Sequence, residues 1–187
     1  NNGGTDLGAS GSTENTFTVG DLKVNDTQGV TVNVADGDAT IANVTTNKME
    51  SLTLTADEDL TITGAVGDVG EPTTIDATGV TGAATLTLSN DFTKDVTLTT
   101  GAGKDVLTLG EQDIQSSTST QTITVDSGAG DDTITLANDA GTSTLGTTIN
   151  VSAGDGNDTF KLSTGGLDGG GVSHSIDGGA GTDLLSL

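Results

Sequence analysis

The chain has no cysteine, no arginine, no tryptophan and no tyrosine, and its 187 residues hold one proline, one histidine and three phenylalanines. Without cysteine there is no thiol nucleophile, no thiol redox chemistry and no thiolate zinc site. There are also no disulfides, so an extracellular protein of this kind needs another staple, and a bound metal is one candidate. Phe17, Phe92 and Phe160 are too few to organise a globular core around aromatic rings. Basic residues are scarce too: five lysines face 27 acidic residues, a formal net charge of −22. Such a chain is repelled by phosphate backbones, which excludes nucleic-acid binding and makes cations its natural partners. Acidity serving only solubility or salt adaptation remains an alternative for the N-terminal half. No apolar run approaches the length of a membrane span, and the N-terminus lacks the charged and apolar regions of a signal peptide. The abrupt start and stop read as a piece of a longer protein. One histidine and scattered lysines offer no cluster of bases; a carboxylate pair in a groove is the one catalytic alternative left open, and no enzyme is expected.

What the chain does have is glycine, 29 residues of it, and a large amount of threonine. Both point to stacked, turn-rich β structure. Residues 1–14 are small, polar and aperiodic, and read as a linker or disordered edge. Short β-branched runs of period two follow at 16–19, 29–35, 39–44, 51–55 and 60–63. Between them lie acidic turns containing Asp36, Asp38, Asp57 and Asp59, which are weaker candidates for holding a cation. Residues 15–95 are therefore expected to form solenoid coils without a regular turn motif, continuous with residues 96–187.

In the second half one turn recurs four times. It reads Thr100-Gly101-Ala102-Gly103-Lys104-Asp105, then Ser127-Gly128-Ala129-Gly130-Asp131-Asp132, Ala153-Gly154-Asp155-Gly156-Asn157-Asp158 and Gly178-Gly179-Ala180-Gly181-Thr182-Asp183. An alternating apolar run follows each copy. Asp105, Asp132, Asp158 and Asp183 lie 27, 26 and 25 residues apart. Equal units that each bury too little alone must stack. The expected fold is all-β, a parallel β-solenoid, right-handed, of about 26 residues per coil with one calcium-binding turn per coil. The opposite edge is expected to carry variable loops at 110–120, 138–145 and 164–172. The first inward residues of paired strands are 11 apart: Val96 and Leu107, Ile123 and Ile134, Ile149 and Phe160, His174 and Leu185, and by extension Ile75 and Leu86. On that register Gly82 aligns with Gly130, and Ala84 aligns with Asp132, a turn of the same shape without a carboxylate. His174 falls in the inward column and reads as a buried, neutral filler.

Stacking would set the four carboxylates roughly 4.8 Å apart, where each pair repels by about 1 kcal/mol in water and several-fold more where solvent is excluded. A divalent cation reverses that sign. The paired glycines Gly101 and Gly103, Gly128 and Gly130, Gly154 and Gly156, and Gly179 and Gly181 permit left-handed backbone and converging carbonyls. Carboxylate and carbonyl oxygens favour Ca2+ over Mg2+ and exclude soft metals. Three shared sites are expected, one in each gap, with half-sites outside Asp105 and beyond Asp183.

These turns, with the last copy matching a glycine-aspartate nonapeptide at every position and the other three lacking its first glycine, resemble the RTX family of secreted calcium-binding proteins over residues 96–187. The long single-turn coils, the acidic, cysteine-free composition and the runs Lys48-Met49-Glu50-Ser51-Leu52-Thr53-Leu54 and Thr73-Thr74-Ile75-Asp76-Ala77 look most like RTX-type bacterial surface-layer proteins. The resemblance implies type I secretion, an extracellular or cell-surface location, calcium-triggered folding and calcium held by the turn aspartates. It further implies self-association into a lattice, with contact to cell-surface polysaccharide through the parent protein. A calcium-folded spacer or secretion module of a secreted adhesin or hydrolase is the alternative.

Overall fold

The computed structural model describes residues 3–8, 16–35, 37–66, 73–88, 94–109, 121–136, 147–162 and 174–187. These residues form sixteen strands and no helix. Eight make one parallel sheet: β1 (Gly3–Gly8), β3 (Gly29–Ala35), β5 (Ser51–Ala56), β7 (Thr74–Val80), β9 (Val96–Thr99), β11 (Gln121–Asp126), β13 (Thr147–Ser152) and β15 (Ser175–Asp177). The other eight make a second parallel sheet: β2 (Phe17–Lys23), β4 (Ala39–Thr45), β6 (Leu60–Ile62), β8 (Ala84–Leu88), β10 (Val106–Leu109), β12 (Thr133–Leu136), β14 (Thr159–Leu162) and β16 (Leu184–Ser186). Odd and even strands alternate along the chain, and each sheet orders its strands as the chain does. This is the parallel β-solenoid expected from the repeat, and both sheets run unbroken from the N-terminal into the C-terminal half.

Parallel stacking turns sequence alternation into columns. In the first sheet Val30, Leu52, Ile75, Leu98, Val125, Val151 and Ile176 succeed one another rung by rung. In the second, Val19, Ile41, Ile62, Leu86, Leu107, Ile134, Phe160 and Leu185 do the same. From Ile41 to Phe160 the latter column is essentially sealed from solvent. Each strand contributes only two or three inward side chains, so the core is a thin slab whose stability comes from repetition. Threonine occupies the alternate positions because its branched Cβ suits a pleated strand and its hydroxyl suits the wet face.

Two features depart from the expected rhythm. In the second sheet, coils of 25 to 27 residues hold only in the C-terminal half, where Val106 pairs with Thr133, Thr133 with Thr159 and Thr159 with Leu184, although the first sheet also opens on a step of 27, Gly3 with Val30. Upstream, Phe17 pairs with Ala39, Ala39 with Leu60, Leu60 with Ala84 and Thr85 with Val106, steps of 21 to 24. The turns lengthen from three residues at 57–59 and 81–83 to six at 100–105, 127–132, 153–158 and 178–183. Turn length alone does not set the step, because the 21 residues from Thr85 to Val106 include a six-residue turn and the 24 from Leu60 to Ala84 a three-residue one. The second departure concerns Ile75, expected in the column of Val96. It pairs instead with Leu98, while Leu86 does pair with Leu107. Strand β7 has an irregular register against β5 between Thr53 and Thr55. Strand β7 also runs four residues beyond its last pair with β9, Asp76 with Thr99, which outweighs its shorter turn and sets Ile75 two residues further from Leu86 than Leu98 is from Leu107. Strand β1 also lies inside the segment read as a linker; its backbone pairs with β3 over Gly3–Gly8 despite the polar sequence. The loops expected at 110–120, 138–145 and 164–172, and Asp36, lie outside the described residues.

Leu107 is fully buried between Leu86 and Ile134, whereas its neighbour Thr108 faces out. Leu107→Ala should lower stability by about 3 kcal/mol, and Thr108→Ala by less than about 0.5 kcal/mol. Equilibrium denaturation of the two variants checks this; equal losses would contradict the assigned faces.

Candidate metal centre

All four six-residue turns lead from a strand of the first sheet into one of the second, so they stack on one edge, with the short turns 57–59 and 81–83 above them. Backbone bonds knit the long turns together. Ala129 N–H donates to the Gly101 carbonyl (2.9 Å), Asp155 N–H to Gly128 (3.1 Å) and Ala180 N–H to Gly154 (2.8 Å). Such close backbone approach needs glycine. A Cβ on Gly130 would collide with the Gly103 carbonyl, and one on Gly156 with the Gly130 carbonyl. Gly128, Gly154 and Gly179 adopt φ of 85°, 92° and 83°, and Gly130, Gly156 and Gly181 lie at 133°, 155° and 141°. The first turn differs: neither Gly101 nor Gly103 is left-handed, and contact with the carbonyls of Val80 and Gly82 is what demands glycine there.

The four aspartates form the expected single ladder, in the column that begins Phe17, Ala39, Leu60, Ala84. Asp105, Asp132 and Asp158 are each 1% exposed. Each carboxylate reaches back one coil with its Oδ1. Ala84 N–H donates to Asp105 (2.7 Å), Asp105 N–H to Asp132 (2.8 Å), Asp132 N–H to Asp158 (2.8 Å) and Asp158 N–H to Asp183 (3.0 Å). On the outer side of Asp105, where a half-site is expected, the Ala84 N–H makes the same bond that the aspartate N–H groups make in the gaps. The Oδ2 atoms of Asp105, Asp132 and Asp158 are buried with no hydrogen-bond partner. Asp183, in the last described coil, is exposed. A buried carboxylate oxygen without a donor is expensive, and the protonation equilibria register it. Burial foremost, helped by the charges of Asp105 and Asp158, pushes the Asp132 carboxyl up to about 6 against the Asp105 N–H. Burial likewise raises Asp105, opposed in part by the Ala84 N–H.

Several participants were not read from the sequence. Thr100 and Ser127, first residues of their turns, are buried beside the carboxyls of Asp105 and Asp132. Their hydroxyls donate onward to the next coil, Thr100 to the Ser127 carbonyl (3.0 Å) and Ser127 to the Ala153 carbonyl (3.1 Å). A second, exposed ladder runs the other way. Asn157 N–H donates to Asp131 Oδ1 (2.8 Å) and Thr182 N–H to Asn157 Oδ1 (3.0 Å). Asp131 is held below the usual carboxylate range, first by the Asn157 N–H, then by its side-chain amide, with Lys104 a minor aid. The shared fifth place of Asp131, Asn157 and Thr182 in the motif was the available signal. The N-terminal acids also reach forward: Asp59 N–H donates to Asp38 (3.3 Å) and Ala83 N–H to Asp59 (2.7 Å). Carboxylates thus converge on adjacent residues Ala83 and Ala84 from both sides. His174 does enter the column of Ile123 and Ile149 but is only half-buried, and its Nδ1 accepts the Ile149 N–H (3.2 Å).

Among the described residues no three His, Cys, Asp or Glu side chains gather as a metal cage. A cation on this edge would instead draw on one carboxylate oxygen per turn and on backbone carbonyls. The carbonyls of Gly103, Gly130 and Gly156 join no hydrogen bond among the described residues. These carbonyls and the orphaned Oδ2 atoms are all hard oxygen donors, the ligand type that calcium-like ions take. Comparison with protein-family models, with curated proteins and with solved structures found no match.

The raised carboxyls give a signed pH dependence in chelator. A carboxyl whose folded pKa lies above its unfolded value destabilises the fold while ionised. For Asp132 that penalty is complete above about 6 and fades as pH falls toward the unfolded value near about 4. In calcium-free solution, residues 96–187 should therefore hold more β structure at pH 4.5 than at pH 7.5, read by circular dichroism. A loss of β structure on acidification would contradict the buried ladder.

Proposed function

We propose that this chain is a calcium-binding structural module of a secreted bacterial surface-layer protein, in which calcium between stacked turns rigidifies the solenoid and supports lattice assembly. The observation that carries the reading is the row of buried, unpartnered Oδ2 atoms on Asp105, Asp132 and Asp158, repeated at the period of the coil. Calcium bound there would supply the positive charge that the row lacks. The chain's own residues do the rest. The Oδ1 atoms anchor each turn to the one before it, which fixes the direction in which the second oxygen is presented. Glycines at the second and fourth turn positions let successive backbones approach closely, excluding water and bringing carbonyls to the edge. The RTX-like turns support secretion and calcium-triggered folding. The scarcity of catalytic side chains supports a scaffold over an enzyme.

With its carboxylates uncompensated and its core thin, the segment 96–187 should lose most of its β structure in excess chelator. Circular dichroism that is equally β-rich with and without calcium would sink the reading. Calorimetric titration should give one calcium per gap between consecutive turns. Asp132→Ala should weaken binding more than Asp183→Ala, because Asp132 is flanked by turns on both sides and Asp183 on one. Equal losses would argue against sites shared between coils.

A further inference from the structure

The first position of each long turn is where this chain departs from the nonapeptide pattern, and that position does something the glycine of the pattern cannot. Its occupants, in order, are Thr100, Ser127, Ala153 and Gly178. The first two carry hydroxyls, are buried, and donate across the gap to the first-position carbonyl of the next coil, Thr100 to Ser127 and Ser127 to Ala153. Ala153 is equally buried but has no donor to give to Gly178. The second and third gaps otherwise share their backbone and Oδ1 bonds: Ser127 N–H to the Ser152 carbonyl and Ala153 N–H to Asp177 (3.0 and 2.9 Å), Gly130 N–H to Asp155 and Gly156 N–H to Ala180 (2.7 and 2.8 Å). The first gap keeps Thr100 N–H to Asp126 (2.9 Å) but has no matching bond from Gly103 among the described residues. The second and third gaps therefore differ in the clamp and in the exposure of the third gap's outer turn, where Asp183 is exposed. The first two are closed by a buried hydroxyl clamp and the third is not.

We infer that the first-position residue sets how strongly each gap depends on calcium, making the gap between the turns 153–158 and 178–183 the calcium-gated joint of the solenoid. The inference rests on the calcium reading above and deepens it by assigning its regulation to Thr100, Ser127 and Ala153. A buried hydrogen bond holds two coils together whether or not a cation sits between them. Where it is missing, the cation carries more of the coupling, and linkage then requires that coil to close only at higher calcium. Nearest-neighbour coupling in a solenoid lets one gap open while the others stay shut.

Amide hydrogen exchange of the whole chain, followed from excess chelator to excess calcium, reads each coil separately. In the unaltered protein, protection over 174–187 should appear at a several-fold higher calcium concentration than protection over 147–162. Ser127→Ala should move the midpoint of 147–162 up several-fold. Ala153→Ser, which restores a donor facing the Gly178 carbonyl, should move the midpoint of 174–187 down several-fold. The second variant excludes simple fraying of an end coil, since fraying would not respond to one buried hydroxyl, and it is informative even if Ser127→Ala folds poorly. Unchanged protection in both target segments at every calcium concentration overturns the inference. If calcium alters no protection in the unaltered protein, the calcium reading fails instead. The chelator points then still read the clamp, as faster exchange over 147–162 in Ser127→Ala and slower exchange over 174–187 in Ala153→Ser.

Discussion

Everything in this structure depends on one constraint: parallel stacking in register brings each residue to within one strand spacing of its equivalents above and below, roughly 4.8 Å away. For apolar side chains that constraint is cohesive. The column from Ile41 to Phe160 is a continuous dry seam although no single coil buries enough to fold alone. For carboxylates the same constraint is repulsive, and desolvation compounds it. The raised carboxyl of Asp132, between Asp105 and Asp158, expresses both effects, with burial the larger. One geometric rule thus makes the core and creates the electrostatic problem on its edge.

The polarity of hydrogen bonding along that edge changes once. From Phe17 to Leu60 the column's N–H groups donate to main-chain carbonyls of the following coil: Phe17 to Asp38, Ala39 to Asp59, Leu60 to Ala83. From Ala84 onward the corresponding N–H groups donate to the aspartate side chains instead. The change coincides with the lengthening of the turn from three residues to six. A short turn leaves its carbonyl near the neighbouring N–H, whereas the long turn carries the backbone outward and a carboxylate fills the vacated place.

The sequence made much of this legible. Period-two alternation marked strands such as Gly29–Ala35 at their observed bounds, because inward and outward positions differ sharply in polarity there. The spacing of the four aspartates showed the coil and placed Ala84 and Gly82 in the right columns, because glycine and aspartate in a tight turn leave little freedom of register. Less legible was β7, where the irregular register beside Thr53 and Thr55 breaks the alternation on which the count to Ile75 relied. The clamp of Thr100 and Ser127 was hidden for another reason. A departure from a repeat reads as degeneracy until its hydroxyl is seen to have a partner in the next coil. Direction was illegible too, since nothing in the composition of a turn says whether its carboxylate bonds forward, as Asp38 and Asp59 do, or back, as Asp105 does.

The column itself shows why the aspartates need a reason beyond folding. Ala39, Leu60 and Ala84 occupy the position that Asp105, Asp132 and Asp158 occupy further on, all buried, and the solenoid closes around them without a charge. Their coils also satisfy the N–H groups of Ala39 and Leu60 without a carboxylate, through Asp59 and Ala83 carbonyls. An apolar residue at this place is thus compatible with the architecture and avoids a desolvation penalty that a lone buried carboxylate incurs. Four consecutive coils nonetheless carry aspartate, each with the lengthened turn and the paired glycines that such a carboxylate needs around it. A fold optimised only for its own stability would have repeated Ala84. Repeating Asp105 makes sense where a cation completes the edge, and stability then becomes conditional on that cation's presence.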